Sequence, residues 1–328
     1  MPKFSIITPV FNRPNEVFEL LESLTKQNFK DFEVIIVEDG SSQKCEEVCS
    51  QFKDSLNVKY FFKENTGQGF SRNFAFEKAQ GDYFIQLDSD VLVPEQYFDE
   101  INKSLAQYTW DAFGGPDAAH SSFSPIQKAI NYAMTSVFTT GGIRGKKTNM
   151  GGQFTPRSFN FGLSRKVWEK VGGYKITRMG EDIEFSKRII EAGFKVGLIP
   201  EAFIFHKRRT SLRQFFNQLH FFGRARINIA RFYPEQLKLV HFFPAAFTLF
   251  LLACVLSFFI YPPIAFVGLT FFAIYCSLLF FDALRVYDFN IKIATLSLLA
   301  CLVQLVGYGI GFLSELPKGL EHKKTRTI

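Results

Sequence analysis

Asp88 and Asp90, in the run Leu87-Asp88-Ser89-Asp90-Val91, are two carboxylates one residue apart, the spacing in this chain that points most directly to chemistry. An Asp-x-Asp pair at a strand end offers hard oxygen ligands that hold a divalent cation between protein and phosphate oxygens. Such pairs occur by chance in many turns, so position has to supply the weight. Upstream, Gly67-Gln68-Gly69-Phe70-Ser71-Arg72-Asn73 reads as a turn entering a helix, which brings an arginine toward the same edge.

Elements that could position these groups are legible on either side. Residues 4–8, 32–37, 58–62 and 83–87 read as strands, and residues 16–27 and 69–79 as helices. The first helix shows the spacing of Val17, Leu20, Leu21 and Leu24, and Glu38-Asp39-Gly40-Ser41-Ser42 closes the second strand in a turn. This alternation predicts an α/β fold with a parallel sheet covered on both faces. Ligands bind such sheets outside the carboxyl ends of the strands, and Asp88 follows the fourth strand directly. Between residues 110 and 155 the pattern weakens, and it returns near Phe161 with a helix at 182–192 and a strand at 195–199.

Five segments then fall in an order that resembles family 2 glycosyltransferases. They are Ser5-Ile6-Ile7-Thr8-Pro9-Val10-Phe11-Asn12-Arg13, Val37-Glu38-Asp39-Gly40-Ser41-Ser42, Gly69-Phe70-Ser71-Arg72-Asn73, Asp88-Ser89-Asp90 and Gly180-Glu181-Asp182-Ile183-Glu184. The resemblance covers about residues 3–210 and rests on the order of the motifs more than on any one of them. It implies a GT-A (Rossmann-like) nucleotide-sugar-binding domain, a nucleoside-diphosphate sugar donor (a UDP-sugar first among them), Mg²⁺ or Mn²⁺, and inversion at the anomeric carbon.

Carried over by position, the resemblance makes Asp182 the catalytic base. Asp39 reads the nucleotide base, with Pro9, Phe11 and Asn12 lining its pocket and Arg72 beside the nucleotide or diphosphate. Asp88, Ser89 and Glu181 fall on the substrate side, Asp88 facing the ribose or the donor sugar. Asp90 binds the metal, and His206, in Phe205-His206-Lys207-Arg208-Arg209, matches a late metal-side histidine. These roles suit the reaction, which builds charge on a diphosphate leaving group and takes a proton from an attacking hydroxyl. Two departures stand out. Glu38 replaces a frequent aspartate, and the Gln-x-x-Arg-Trp signature of processive polysaccharide synthases is missing, which favours transfer of a single sugar. The glycines of Gly141-Gly142-Ile143-Arg144-Gly145-Lys146-Lys147 and Met150-Gly151-Gly152 do not form a Walker loop, and they read either as a surface loop or as a flap over the donor.

The carboxyl-terminal part is of another kind. Residues 239–281 and 293–314 contain no Asp, Glu, Lys or Arg. Divided at Tyr261-Pro262-Pro263, they give three spans at 239–260, 264–281 and 293–314, each near the ~20 residues that cross a hydrocarbon core. Residues 206–238 carry Lys207, Arg208, Arg209, Arg213, Arg224, Arg226, Arg231 and Lys238 against one acid, Glu235. That balance beside apolar spans fits an amphipathic segment on anionic headgroups better than nucleic acid. The expected domains are therefore 1–205 for the GT-A fold, 206–238 for the interfacial segment and 239–328 for the membrane region. The opening Met1-Pro2-Lys3 runs straight into a strand, so no signal peptide is expected and the catalytic part is placed in the cytoplasm, anchored in an inner or plasma membrane. Three crossings would put Lys318, Lys323, Lys324 and Arg326 on the far side, against the usual charge bias; a third segment that dips in and returns would not.

The expected function is transfer of one sugar to a membrane-associated or lipid-linked acceptor in cell-surface glycan synthesis. The alternative is a non-catalytic membrane partner that binds nucleotide sugar. A transporter is disfavoured because the spans lack the charged residues of a polar path. Cys45, Cys49, Cys254, Cys276 and Cys301 show neither disulfide nor zinc spacing.

Overall fold

The structure, a computed structural model, describes residues 1–118, 120, 122–140 and 154–319. The stretch 141–152 and the cations Lys323, Lys324 and Arg326 lie outside the described residues. The described residues divide into two compact units, one drawn from 1–118, 120 and 154–207, the other from 122–140 and 208–319.

In the first unit, buried apolar runs become strands and amphipathic runs become helices. The order is β1 (Phe4–Val10), α1 (Pro14–Thr25), β2 (Phe32–Asp39), α2 (Glu46–Gln51), β3 (Val58–Lys63), α3 (Gln68–Lys78) and β4 (Tyr83–Leu87). A two-residue strand β5 (Val91–Leu92), α4 (Tyr97–Tyr108), β6 (Ala112–Gly114) and β7 (Asp117–Ala118) come next. α5 (Pro125–Thr135) and α6 (Val137–Thr140) fall in the second unit, and the first resumes with β8 (Asn160–Ser164), α7 (Arg165–Val171), α8 (Glu181–Glu191), β9 (Val196–Leu198) and β10 (Ile204–His206).

The main sheet has the order β3-β2-β1-β4-β8-β6-β9. Its first four strands are parallel, as expected, but β8 runs antiparallel to both β4 and β6, so the sheet is mixed. The register gives the reason. Leu87 faces Asn160 and Gly114 faces Phe161, so β4 and β6 end at the edge where β8 begins. Re-entering from that edge, the chain can only run back.

Strand alternation feeds two cores. Ile6, Val34, Ile36 and Ile85 pack with Val17, Leu20, Leu21 and Leu24 of α1. Ile7, Ile35, Val37 and Phe84 pack on the other face with Ala75 and Phe76 of α3 and Phe185 and Ile189 of α8. Each fully buried Val, Leu, Ile or Phe side chain contributes roughly 1.5–3 kcal/mol. The two cores hold the strand ends rigidly, and the polar residues sit at those ends.

The second unit is helical. α9 (Leu212–Ala230), α10 (Phe243–Ile260), α11 (Pro262–Val286) and α12 (Ile291–Glu315) follow. Three stretches, Leu239–Ile260, Pro262–Val286 and Ile291–Lys318, are long and apolar enough to cross a membrane. The second runs past the expected end at 281, taking Asp282 and Arg285 into the helix. α5 falls in the stretch where the pattern weakened. Ser124 caps it, accepting from the Gln127 amide while the Gln127 side chain returns to the Ser124 amide.

Candidate active site

Asp88 and Asp90 lie between β4 and β5, and the small sheet β5-β10-β7 brings their third partner. β10 runs antiparallel to β5 with His206 opposite Val91, and the Lys207 amide donates to the Asp90 carbonyl at 2.9 Å. That register sets the His206 ring beside Asp90, 116 positions away, with Nε2 3.2 Å from Oδ1. One ligand atom each from Asp88, Asp90 and His206 lies within 4.8 Å of the others.

Asp90 is buried and carries a second neighbour. Arg13 donates from Nη1 to Asp90 Oδ2 at 2.5 Å. Burial alone would raise the Asp90 carboxyl, yet His206 and Arg13 hold it far below the usual carboxylate range. His206 Nδ1 is buried with no hydrogen-bond partner among the described residues; Asp117 Oδ2 is 3.9 Å away. Two carboxylates and an imidazole, one ring nitrogen unspent, form a donor set that fits a divalent cation, and Asp88 and Asp90 supply the oxygens that Mg²⁺ and Mn²⁺ prefer.

Behind Asp88 stands Arg72, on α3 and fully buried. Its Nη2 donates to Asp88 Oδ1 at 2.7 Å, and its guanidinium lies 5.7 Å from the centre of the Tyr174 ring. Its Nε and Nη1 have no hydrogen-bond partner among the described residues. A buried cation with unspent N–H groups costs free energy unless an anion meets it, so this guanidinium is poised for one. Asp88, Glu181 and Asp182 all act on its charge, which places the last two within its electrostatic reach.

Glu181 and Asp182 open α8, where carboxylates favour the helix dipole. Gly180 precedes them at φ 105°, a backbone conformation suited to glycine. The Glu181 side chain accepts from Gln68, the first residue of α3. Burial, then the neighbouring Asp182, pushes the Glu181 carboxyl up to about 7. Asp182 Oδ1 accepts from the Ile183 amide at 2.8 Å, and Oδ2 faces Arg157 Nη1 at 3.5 Å.

Asp39 ends β2. Its Oδ1 accepts from Lys63 Nζ at 2.6 Å and the Thr66 amide at 2.9 Å, and its Oδ2 from the Gly67 amide at 2.9 Å. Burial would raise this carboxyl too, but those donors and Ser71 hold it below its usual range. Asn12, at φ 54°, accepts from the Ser42 and Gln43 amides at 2.8 and 2.9 Å and donates its own amide to Ser41 Oγ. Its side chain thus ties the turn after β1 to the turn after β2. Phe11 stands half exposed beside it, Pro9 lies within β1, and Ser89 is buried.

Two runs of contacts therefore lead from Asp39 through Gly67 and Gln68 to Glu181, and from Arg72 through Asp88 to Asp90 and His206, and the charge of Glu181 acts on Arg72 between them. Arg13, Lys63, Gln68, Asp117 and Arg157 join them without having been singled out in the sequence. Arg13 was visible within its motif, next to Asn12, but its partner is set by three-dimensional pairing alone.

Comparison with known proteins gives these groups a context. The profile described as Glycosyl transferase family 2 matches residues 5–172. An uncharacterized glycosyltransferase of Rickettsia felis is 34% identical over 143 residues, 43% of this chain and 23% of that protein. The poly(ribitol-phosphate) beta-N-acetylglucosaminyltransferase TarS of Staphylococcus aureus is 35% identical over 136 residues, 40% of this chain and 22% of that one. The similarity thus spans about a quarter or less of either relative. Among solved structures, the mannosyltransferase PcManGT of Pyrobaculum calidifontis, in complex with GDP-Man and Mn²⁺, superposes with a TM-score of 0.58 at 17% identity. The match covers 95% of this chain and 87% of that one, and it shows a shared fold.

Proposed function

The chain belongs to glycosyl transferase family 2, and on that premise we propose that it moves one sugar from a nucleoside-diphosphate sugar, a UDP-sugar in the first instance, to a membrane-associated or lipid-linked acceptor in cell-surface glycan synthesis. The observation that carries this reading is the meeting of Asp88, Asp90 and His206 beside Arg72, whose charge Glu181 and Asp182 also feel.

In this reading Asp88, Asp90 and His206 hold Mg²⁺ or Mn²⁺, which when bound supplies Lewis-acid neutralisation of a diphosphate leaving group. Arg72 turns its free N–H groups to the nucleotide or diphosphate, adding charge-assisted hydrogen bonds from a water-poor position. Asp39 keeps acceptor capacity for a base N–H, since a carboxylate offers about four lone-pair sites and three are taken. Pro9, Phe11 and Asn12 border that pocket, and Ser89 lies between the two metal-side aspartates. Asp182 takes the proton of the attacking hydroxyl, with Arg157 orienting it, while Glu181 contacts substrate from the same helix start. Attack from the face opposite the leaving group inverts the anomeric carbon. Residues 1–205 act as the catalytic domain on the cytoplasmic face, 206–238 as the interfacial segment and 239–328 as the membrane anchor.

The test is a screen of UDP- and GDP-sugars with the detergent-solubilised full chain, reading release of nucleoside diphosphate with Mn²⁺ and with chelator. Metal-dependent release with one donor class supports the proposal. Binding of a nucleotide sugar without release, even when membrane lipid extract is added as acceptor, would instead identify a non-catalytic partner subunit.

A further inference from the structure

The three apolar stretches differ in how much of each is covered by protein. Within the most apolar window, 6% of Leu239–Ile260 and 17% of Pro262–Val286 is buried, but 50% of Ile291–Lys318. A helix crossing lipid beside a few others keeps a broad lipid face. α12 does not, and the polar-faced helices that precede the spans cover it together with α10 and α11.

α9 runs alongside the carboxyl-terminal half of α12 in the same direction. Gly307 lies against Phe216 and Leu219, Gly311 against the His220 backbone, and Gly223 of α9 against the backbone of Tyr308 and Phe312. Small residues allow this approach, since a Cβ at Gly311 or Gly223 would strike backbone. At the far end Glu315 accepts from Arg224 Nε and Arg231 Nη1, each at 3.0 Å, and from Lys318 Nζ at 2.9 Å. α5 covers the other half, sharing one cluster of Ala129, Ile130 and Ala133 with Ala294, Ala300 and Cys301. Next to the start of α12, the Tyr287 hydroxyl donates to the Lys128 carbonyl at 2.7 Å and the Tyr132 hydroxyl to Asp282 at 2.5 Å.

The end of α12 therefore rests on charged groups of α9, and its start lies beside the polar contacts that Asp282 of α11 and Tyr287 make with α5. If α12 crossed the bilayer, the first half of α9, which lies beside Gly307 and Gly311, would be drawn in with it, carrying Arg213 toward hydrocarbon, while Arg224 stays level with Glu315 at the helix end. α10 and α11 behave differently. They form an antiparallel pair, Phe247 packing on Phe272 and Tyr275, and are joined at Tyr261. Their tip presents Phe259, Ile260, Tyr261 and Ile264 to the surroundings, with no charge. The start of α10 lies against Gly309 of α12, and the end of α11 lies against α5. The hairpin thus begins and ends on one side.

We propose that only α10 and α11 cross the membrane, as a hairpin, and that α12 lies in the interface with its exposed stripe of Leu299 and Ile310 on lipid. The carboxyl terminus then stays on the same face as the amino-terminal catalytic unit, and Lys318 with the cations after it obeys the usual charge bias. The proposal does not depend on the reaction catalysed.

The test places epitope tags at both ends of the full chain, expressed in a bacterial host, and compares protease access in intact and lysed spheroplasts. Both tags should be protected together in intact spheroplasts and digested together after lysis. In a background without the five native cysteines, Tyr261→Cys should react with a membrane-impermeant maleimide from the outside of intact spheroplasts. A carboxyl-terminal tag digested while the amino-terminal one is protected would overturn the proposal, as would a Tyr261→Cys protein that reacts only after lysis. The tag experiment uses the native sequence, so a misfolded cysteine variant cannot decide the matter.

Discussion

Arg13 donates to Asp90 across 2.5 Å, joining two residues 77 positions apart at the carboxylate best placed to hold a metal. The guanidinium covers Oδ2, and His206 covers Oδ1. A divalent cation reaching Asp90 must displace Arg13 or share the carboxylate with it. Arg13→Gln should therefore tighten Mn²⁺ binding to the nucleotide-free protein by about tenfold, a difference of ~1.4 kcal/mol. Titration followed by the electron paramagnetic resonance of free Mn²⁺ reads this directly, with Asp90→Asn as the variant that loses the site. An unchanged dissociation constant would show that the pair does not compete with the metal.

Asp182 is flanked by the Ile183 amide and by Arg157, so its carboxylate is anchored on one oxygen and faces a cation with the other. Asp182→Asn keeps the shape and the amide contact but cannot accept the hydroxyl proton. Turnover should fall by roughly 10²–10⁴-fold while donor affinity changes little. Steady-state rates together with a donor-binding isotherm separate the two effects. Unaltered turnover would take Asp182 out of the mechanism.

What the sequence made legible follows from what is local. β1, β2 and β4 were readable because each is a buried run bounded by turn residues, and α1 because its apolar positions recur with helical spacing. β8 gave no such clue to direction: Asn160–Ser164 offers the same buried Phe161 and Leu163 whichever way it runs, and only the edge at which the chain re-enters makes it antiparallel. α5 lies where the wider pattern weakens, yet its local signals are present. Ser124 and Gln127 have capping-box spacing, and Ile126, Ala129, Ile130 and Ala133 follow at helical intervals. The site divides in the same way. Asp39, Arg72, Asp88, Asp90, Asp182 and His206 each sit in a recognisable motif. Lys63, Gln68, Asp117 and Arg157 enter through tertiary pairing, which no local pattern encodes.

Glu181 gives a pH signature. Burial, then Asp182, raises its carboxyl from 4.5 to about 7 in the folded chain. The folded state thus holds a proton that the unfolded state releases between those values. The stability this provides is complete below pH 4.5 and lost as pH rises through about 7. Glu181→Gln cannot ionise, so its thermal midpoint should fall less than that of the wild type between pH 5 and pH 8. Comparing the two proteins cancels the other titrating groups to first order. Parallel curves would mean that Glu181 is already ionised at pH 5.

The pair Arg231 and Glu315 offers the sharpest test of how the helical unit holds together. Both side chains are buried, at 7% and 6% exposure, and Glu315 also takes Arg224 and Lys318. Removing one member of a buried ion pair costs about 3–5 kcal/mol where the other is left unpaired, and less here, since Glu315 keeps Arg224 and Lys318 and Arg231 keeps the Gly319 carbonyl. Replacing both by apolar residues removes the desolvation penalty with the attraction, and is often nearly neutral. Arg231→Met and Glu315→Leu should each lower the unfolding midpoint of the solubilised chain, Glu315→Leu more because it removes the shared acceptor of Arg224, Arg231 and Lys318. The double variant should recover much of what Glu315→Leu alone loses. Additive losses in this double-mutant cycle would instead assign the contact between α9 and α12 to glycine-mediated packing, with the charges as bystanders.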